Sequence, residues 1–162
     1  LPETMEAFGR LGMREHRCVD IVSSRGVEEI FDLNQPHDLG RFDLVIDPGT
    51  TEHCFNIGQA LLNAANAVEP GGIILHTPPM NMMNHGFYCL MPTLFHDFYG
   101  QNGWEILSLS MTDGTQMVSA PSTSRFHAPA DELSLYCLAQ RKNGDALRFP
   151  TQTKYLLRPG LA

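Results

Sequence analysis

Polar and apolar positions alternate along this chain in a way that divides it into short elements. The run Phe42-Asp43-Leu44-Val45-Ile46-Asp47 is apolar without alternation, then stops at Pro48-Gly49. That pattern reads as a strand over 42–47 buried on both faces, as in a parallel sheet, closed by a turn. Ile57, Ala60, Leu61, Ala64, Ala65 and Val68 recur at helical spacing. Glu69-Pro70-Gly71-Gly72 ends that helix, and Ile73-Ile74-Leu75-His76 forms the next strand. Strand, polar loop, helix and strand thus follow one another. In open parallel sheets, ligands bind where such loops leave the C-terminal strand ends, which points to residues 47–53.

The flanking elements follow from the same signals. Residues 2–12 read as a short helix, with Pro2 in its first turn and Gly12 at its end. Residues 17–22 and 27–33 are strand-like, and the link between them is too short for more than one helical turn. Residues 77–86 form a loop rich in Pro, Asn and Gly. Pro92 opens a helix over 92–99, ended by Asn102-Gly103. Strands follow over 104–111 and 132–139. Between them, residues 112–131 are rich in Ser, Thr and Pro and read as a long mobile connection. Residues 145–162 form a C-terminal tail.

Composition narrows the classes. A chain of 162 residues is read as one domain, long enough to bury a core without staples. A net charge of −7 disfavours nucleic-acid backbones and anionic membrane surfaces. No apolar run approaches the ~20 residues of a membrane span, and no signal peptide is visible. Cys18, Cys54, Cys89 and Cys137 are widely spaced, which suits free thiols in a reducing, cytoplasmic setting better than a disulfide framework.

The ordered set of motifs resembles the C-terminal two-thirds of a class I, Rossmann-like, S-adenosylmethionine-dependent methyltransferase. Residues 42–47 are similar to that family's fourth-strand motif, Glu52-His53 to the Glu-His pair that often follows it, and Glu69-Pro70-Gly71-Gly72 to its turn before the fifth strand. Asn84-His85-Gly86-Phe87-Tyr88 and the Pro150, Gln152, Lys154, Tyr155 set look like a bacterial subgroup. The resemblance implies an α/β, Rossmann-like three-layer sandwich, its sheet mostly parallel with an antiparallel strand pair at the C-terminal end. It implies transfer of a methyl group from S-adenosylmethionine to a small polar acceptor, such as a sugar or natural-product oxygen or nitrogen. Asp20 would meet the ribose, Asp32 and Leu33 the adenine, and Asp47 and Gly49 the methionine end. Asp20 and Asp32 equally suit strand-end turns. His53 and His85 are the candidates for accepting the acceptor's proton; a core or loop-structural role suits each as well.

The family's Gly-rich turn after its first strand has no counterpart here, and its place falls before Leu1. The chain then either lacks that first strand or is a non-catalytic module that binds a partner subunit, or a second copy, through an open sheet edge. His53, His76, His85 and Cys54 cluster at the expected rim, but none shows the i, i+4 or C-x-x-C spacing of a metal site, so no metal is assigned. Met80, Met82 and Met83 suit either a pocket lining or plain loop packing. Arg125, Phe126 and His127 suit a segment covering a pocket, or a solvated excursion.

Overall fold

The structure, a computed structural model, describes residues 2–157, with side chains from residue 6 onward. Leu1 and residues 158–162, the end of the expected tail, lie outside it. The chain forms two compact units, Leu1–Leu33 and Asn34–Ala162.

In the first unit, helix α1 (Pro2–Arg10) ends near Gly12, whose φ of +84° only glycine adopts without strain. Strands β1 (Cys18–Asp20) and β2 (Glu28–Ile30) then pair in parallel. The turn after β1 is held by Asp20, whose Oδ1 accepts from the Ile21 and Val22 amides at 2.7 and 3.4 Å.

The second unit carries a five-stranded sheet in the order β3-β4-β7-β5-β6. Strand β3 (Phe42–Asp47) leads through a 3₁₀ turn (Thr51–His53) into α2 (Ile57–Asn66) and β4 (Val68–His76). Helix α3 (Pro92–Gln101) precedes β5 (Glu105–Thr112). Strands β6 (Met117–Ser119) and β7 (Ser134–Gln140) and helix α4 (Thr153–Leu157) complete it.

The parallel neighbours β3 and β4 and the antiparallel neighbours β5 and β7 are present. The mostly parallel Rossmann-like sandwich is not. Within the five-stranded sheet only β3–β4 is parallel; β4–β7, β7–β5 and β5–β6 are antiparallel. Parallel pairing needs a crossover, normally a helix, and only α2 supplies one here. The chain after α3 enters β5, and β7 returns between β4 and β5 in the opposite sense. The expectation that residues 42–47 are buried on both faces also fails. Strand β3 is an edge of this sheet, and Leu44 and Ile46 are 38% and 40% exposed.

Strand β7 alternates half-buried and buried positions, with Leu135, Cys137 and Ala139 inward. Those residues join Leu61 and Ala65 of α2, Ile74 of β4, and Phe95, Phe98 and Tyr99 of α3 in one core. Burying each large side chain contributes about 1.5–3 kcal/mol. The Glu69–Gly72 stretch does not stand between helix and strand as a separate turn. It bulges within β4, so that Phe42 faces Val68 while Leu44 faces Ile73.

Residues 112–131 are not loop throughout. Asp113 Oδ1 accepts from the Thr115 amide, the Thr115 hydroxyl and the Gln116 amide at 2.9, 2.7 and 3.3 Å. Gly114 takes φ +89°, and the chain turns back as β6 against β5. Asp-Gly is a strong hairpin signal when strand residues flank it. The far end of the excursion is pinned by Asn81, which donates to Ala130 O at 2.9 Å and accepts from the Leu133 amide at 2.6 Å. The tail is docked on α3: Asn102 exchanges bonds with Arg148, and Asp97 accepts from the Thr153 amide at 3.0 Å. Among the described residues, no helix is long and apolar enough to cross a membrane.

Candidate functional site

The site sits where β3 and β4 end side by side. Asp47 and His76 are the last register pair of these strands, and both are buried. Asp47 Oδ1 accepts from the Thr50 and Thr51 amides at 2.9 and 3.3 Å. Its Oδ2 accepts from the Thr51 hydroxyl at 2.8 Å and from His76 Nδ1 at 2.7 Å. With the His76 proton on Nδ1, Nε2 is left to accept from the Tyr99 hydroxyl, 2.6 Å away. Burial opposes a charge on Asp47, but the His76 and Thr51 bonds and the Thr50 amide outweigh it and hold its pKa below the usual aspartate value. Burial pushes the Tyr99 hydroxyl well above its ordinary pKa, with Cys137 and Asp47 adding to it.

The acid that ends β3 therefore shapes the turn that follows. Pro48 and Gly49 break the strand, Asp47 gathers the next two amides, and the 3₁₀ turn swings Glu52 inward. The Glu52 side chain is fully buried, and neither carboxylate oxygen has a hydrogen-bond partner. Its pKa is raised, first by burial and further by the charge on Asp47, against its own amide and the nearby histidines.

Two glycines make room for this carboxylate. Gly49 lies at φ +91°, and a Cβ there would stand 3.0 Å from Glu52 Oε1. A Cβ on Gly86 would stand 3.0 Å from Glu52 O, 3.1 Å from Glu52 Cγ and 3.1 Å from His53 Nδ1. Glu52 O accepts from the Phe87 and Tyr88 amides, which fastens the 84–88 loop against the turn. Tyr88 donates to Phe55 O at 2.9 Å, and the exposed rings of Phe55 and Phe87 meet edge to face at 5.7 Å.

This docking brings His85 to His53. Their ring centroids are 5.2 Å apart. Glu52 Oε1 lies 3.7 Å from His53 Nε2 and 3.5 Å from His85 Nε2, with 49% and 43% of the two histidine side chains exposed. A buried carboxylate thus faces two solvent-accessible imidazoles, an arrangement able to orient them, accept a proton or hold a cation.

Of the sequence-predicted site residues, His53, His85, Asp47 and Gly49 come together. Asp47 spends its oxygens on Thr50, Thr51 and His76, so it builds the loop. His76 is not a rim histidine; it is fully buried between Asp47 and Tyr99. Cys54 is buried with its thiol 3.9 Å from Thr50 O, and none of the four cysteines is in a disulfide. Asp20, Asp32 and Leu33 belong to the first unit, where Asp20 also pairs with Arg25 at 3.6 Å. Met80 is core, whereas Met83 is 86% exposed, so the three methionines form no single patch. Sequence reasoning missed Glu52 as a site residue and Tyr99 altogether. Nothing local separates Glu52 from a solvated turn acid; the only signal is the pair of glycines, one on each segment that closes over it.

No family model matches the chain, and no curated protein matches it either.

Proposed function

We propose that this rim methylates a small polar acceptor, an oxygen or nitrogen of a sugar or natural product. The motif resemblance supports the reaction class. The observation that carries the reading is the meeting of His53 and His85, from separate segments, beside the buried Glu52 carboxylate. S-adenosylmethionine, when bound, supplies an already activated methyl group, so the protein's work is alignment and proton removal. Asp47 has no oxygen to spare for it. What the residues present fit is the acceptor half of the reaction. Phe55 and Phe87 offer an exposed aromatic face for the acceptor. His53 or His85 takes the proton from the acceptor, and Glu52 steadies the resulting imidazolium. Calorimetric titration with S-adenosylmethionine and S-adenosylhomocysteine tests the reading. Heat of binding with either supports it, and none with both removes it.

A second reading is a non-catalytic module that binds through its sheet edge. It is favoured by β3, an outer strand with Leu44 and Ile46 exposed. Solution mass measured against concentration tests self-association through this edge: a Leu44→Lys variant lowers the mass if β3 is the interface.

A further inference from the structure

We propose that Glu52, His53 and His85 form a binding site for a divalent transition-metal ion of the zinc or cobalt type. The ligating atoms of these three residues all lie within 4.8 Å of one another. The two carboxylate-to-imidazole distances, 3.5 and 3.7 Å, are too long for hydrogen bonds. They suit a shared ion: with bonds of about 2.1 Å, neighbouring ligands of a tetrahedral ion stand about 3.4 Å apart. Small rotations of two half-exposed histidines close the difference.

The second observation is the state of Glu52. Its side chain is fully buried, and both oxygens lack hydrogen-bond partners. Burying a carboxylate without a hydrogen bond is costly, and proteins do so where a cation or a proton offsets it. The surroundings keep its position rather than relieve it. Gly49 leaves room for Oε1, Gly86 leaves room for Cγ, and the Phe87 and Tyr88 amides clamp its backbone carbonyl.

The donor set names the class of ion. Two imidazoles and one carboxylate suit zinc, cobalt, nickel or ferrous iron and do not suit magnesium or calcium, which take oxygen ligands. Three protein ligands leave a coordination position open, as in catalytic rather than structural zinc sites. An acceptor hydroxyl or water bound there would ionise more readily. The other two candidate ligands belong elsewhere: His76 is bonded at both nitrogens, and the Cys54 thiol turns to Thr50 O. The inference does not rest on methyl transfer, since it uses only the geometry of these three side chains. With an ion bound, it replaces the proton-accepting role given to His53 and His85, because an imidazole nitrogen held by a metal cannot take a proton.

The test uses the full chain, stripped with chelator and titrated with Co²⁺ and with Zn²⁺ alone, followed by calorimetry and by the visible absorption of cobalt. One equivalent of either ion is expected, with Mg²⁺ bound at least about 100-fold more weakly. Glu52→Gln and His85→Ala should each weaken Co²⁺ at least about 100-fold, beyond the 10–100-fold typical of outer-shell changes. His85 is on an exposed loop, so that variant carries the test if Glu52→Gln does not fold. Absence of one-to-one binding overturns the proposal, as does affinity unchanged in His85→Ala. Binding abolished by cysteine alkylation but kept in His85→Ala also overturns it, by placing the ion on thiols. The same stripped sample is titrated with S-adenosylmethionine. Cofactor heat without metal binding overturns this inference alone, and metal binding without cofactor heat overturns the methyltransferase reading alone.

Discussion

The imidazole of His76 reaches the carboxylate of Asp47 across the last register pair of β3 and β4, Nδ1 to Oδ2 at 2.7 Å. That contact joins the two parallel strands at the end where the candidate site begins. It also links the core to the rim, because His76 continues to Tyr99 while Asp47 continues to Thr50 and Thr51.

Removing Asp47 should therefore be costly, and the cost should depend on pH. Asp47→Ala leaves His76 Nδ1, the Thr51 hydroxyl and two amides without their acceptor, a loss of about 3 kcal/mol. The folded pKa of Asp47 lies below its unfolded value. Its contribution is therefore present above the unfolded value of roughly pH 4 and drains away as pH falls through the folded pKa. Urea unfolding of the protein and of Asp47→Asn at pH 7 and pH 3 checks this. The gap between them should be wide at pH 7 and should narrow at pH 3. A gap that is constant with pH would mean that the carboxylate's charge contributes nothing.

Gly49 and Gly71 provide a matched pair. Both take φ +91°, but a Cβ on Gly71 meets nothing within 4 Å, whereas one on Gly49 meets Glu52 Oε1 at 3.0 Å. Gly71→Ala should cost about 1 kcal/mol, the backbone term alone. Gly49→Ala should cost that much plus a further 1 kcal/mol or so for the displaced carboxylate. Only Gly49→Ala should weaken Co²⁺ binding. Thermal unfolding and cobalt titration of both variants separate the two terms; equal behaviour would show that Gly49 serves its turn and not Glu52.

Local signals in the sequence place several elements well. Pro92 opens α3, the apolar run ends at Asp47, and β7 alternates. Strand direction is a different matter, because it is set by which distant segments meet. Residues 104–112 look the same whether they join β4 in parallel or β7 antiparallel. The Leu44-Val45-Ile46 run reads as doubly buried, yet it forms a sheet edge. A run of apolar residues records affinity for a covering surface, not the presence of one. The same limit hid the site. His53 and His85 are legible as chemistry-bearing residues, but Glu52 becomes interesting only because a 3₁₀ turn buries it and a loop far along the chain lays His85 beside it.

Arg141 is a buried cation at the end of β7, and its role is structural. Its Nη1 donates to Val68 O at 2.8 Å, its Nε to Asn143 O at 2.9 Å and its Nη2 to Asp145 O at 3.1 Å. The guanidinium also lies 5.8 Å from the Trp104 ring centroid. It holds the carbonyls past the end of α2 and the first residues of the tail together. Arg141→Met keeps most of the packing but leaves those carbonyls unsatisfied, each costing about 1–3 kcal/mol when buried. We expect a loss of about 3 kcal/mol in denaturant unfolding. Co²⁺ affinity should stay within about twofold, because Arg141 touches none of the three proposed ligands. A large change in cobalt affinity would show that the core and the rim are energetically joined.

The segment between β6 and β7 can be trimmed, but not as widely as its composition suggests. Ala120 is buried and its amide continues the ladder to Leu109 O at 3.0 Å. Ser122 O accepts from the Thr93 hydroxyl at 2.8 Å, and Ala130 O accepts from Asn81. These anchors belong to the fold. Residues 123–129 between them are exposed, and several line a groove of about 1060 Å³ with Met91, Thr93 and residues 152–155 of the tail. That groove shares no lining residue with the Glu52 cluster. Replacing 123–129 by a short glycine linker should leave the core intact, since changing the length of a flexible loop alters its closure entropy by only about 0.6 kcal/mol per doubling. The midpoint of thermal unfolding should move by no more than about 4 °C, and Co²⁺ affinity should be unchanged. The tail should remain docked through Asp97 and Thr153 but become more open, with faster amide exchange in α4. Extending the deletion to include Ser122 and Ala130 removes two anchors and should lower the midpoint further. If the shorter deletion already unfolds the protein, the exposed stretch is part of the core and its side chains hold the tail in place.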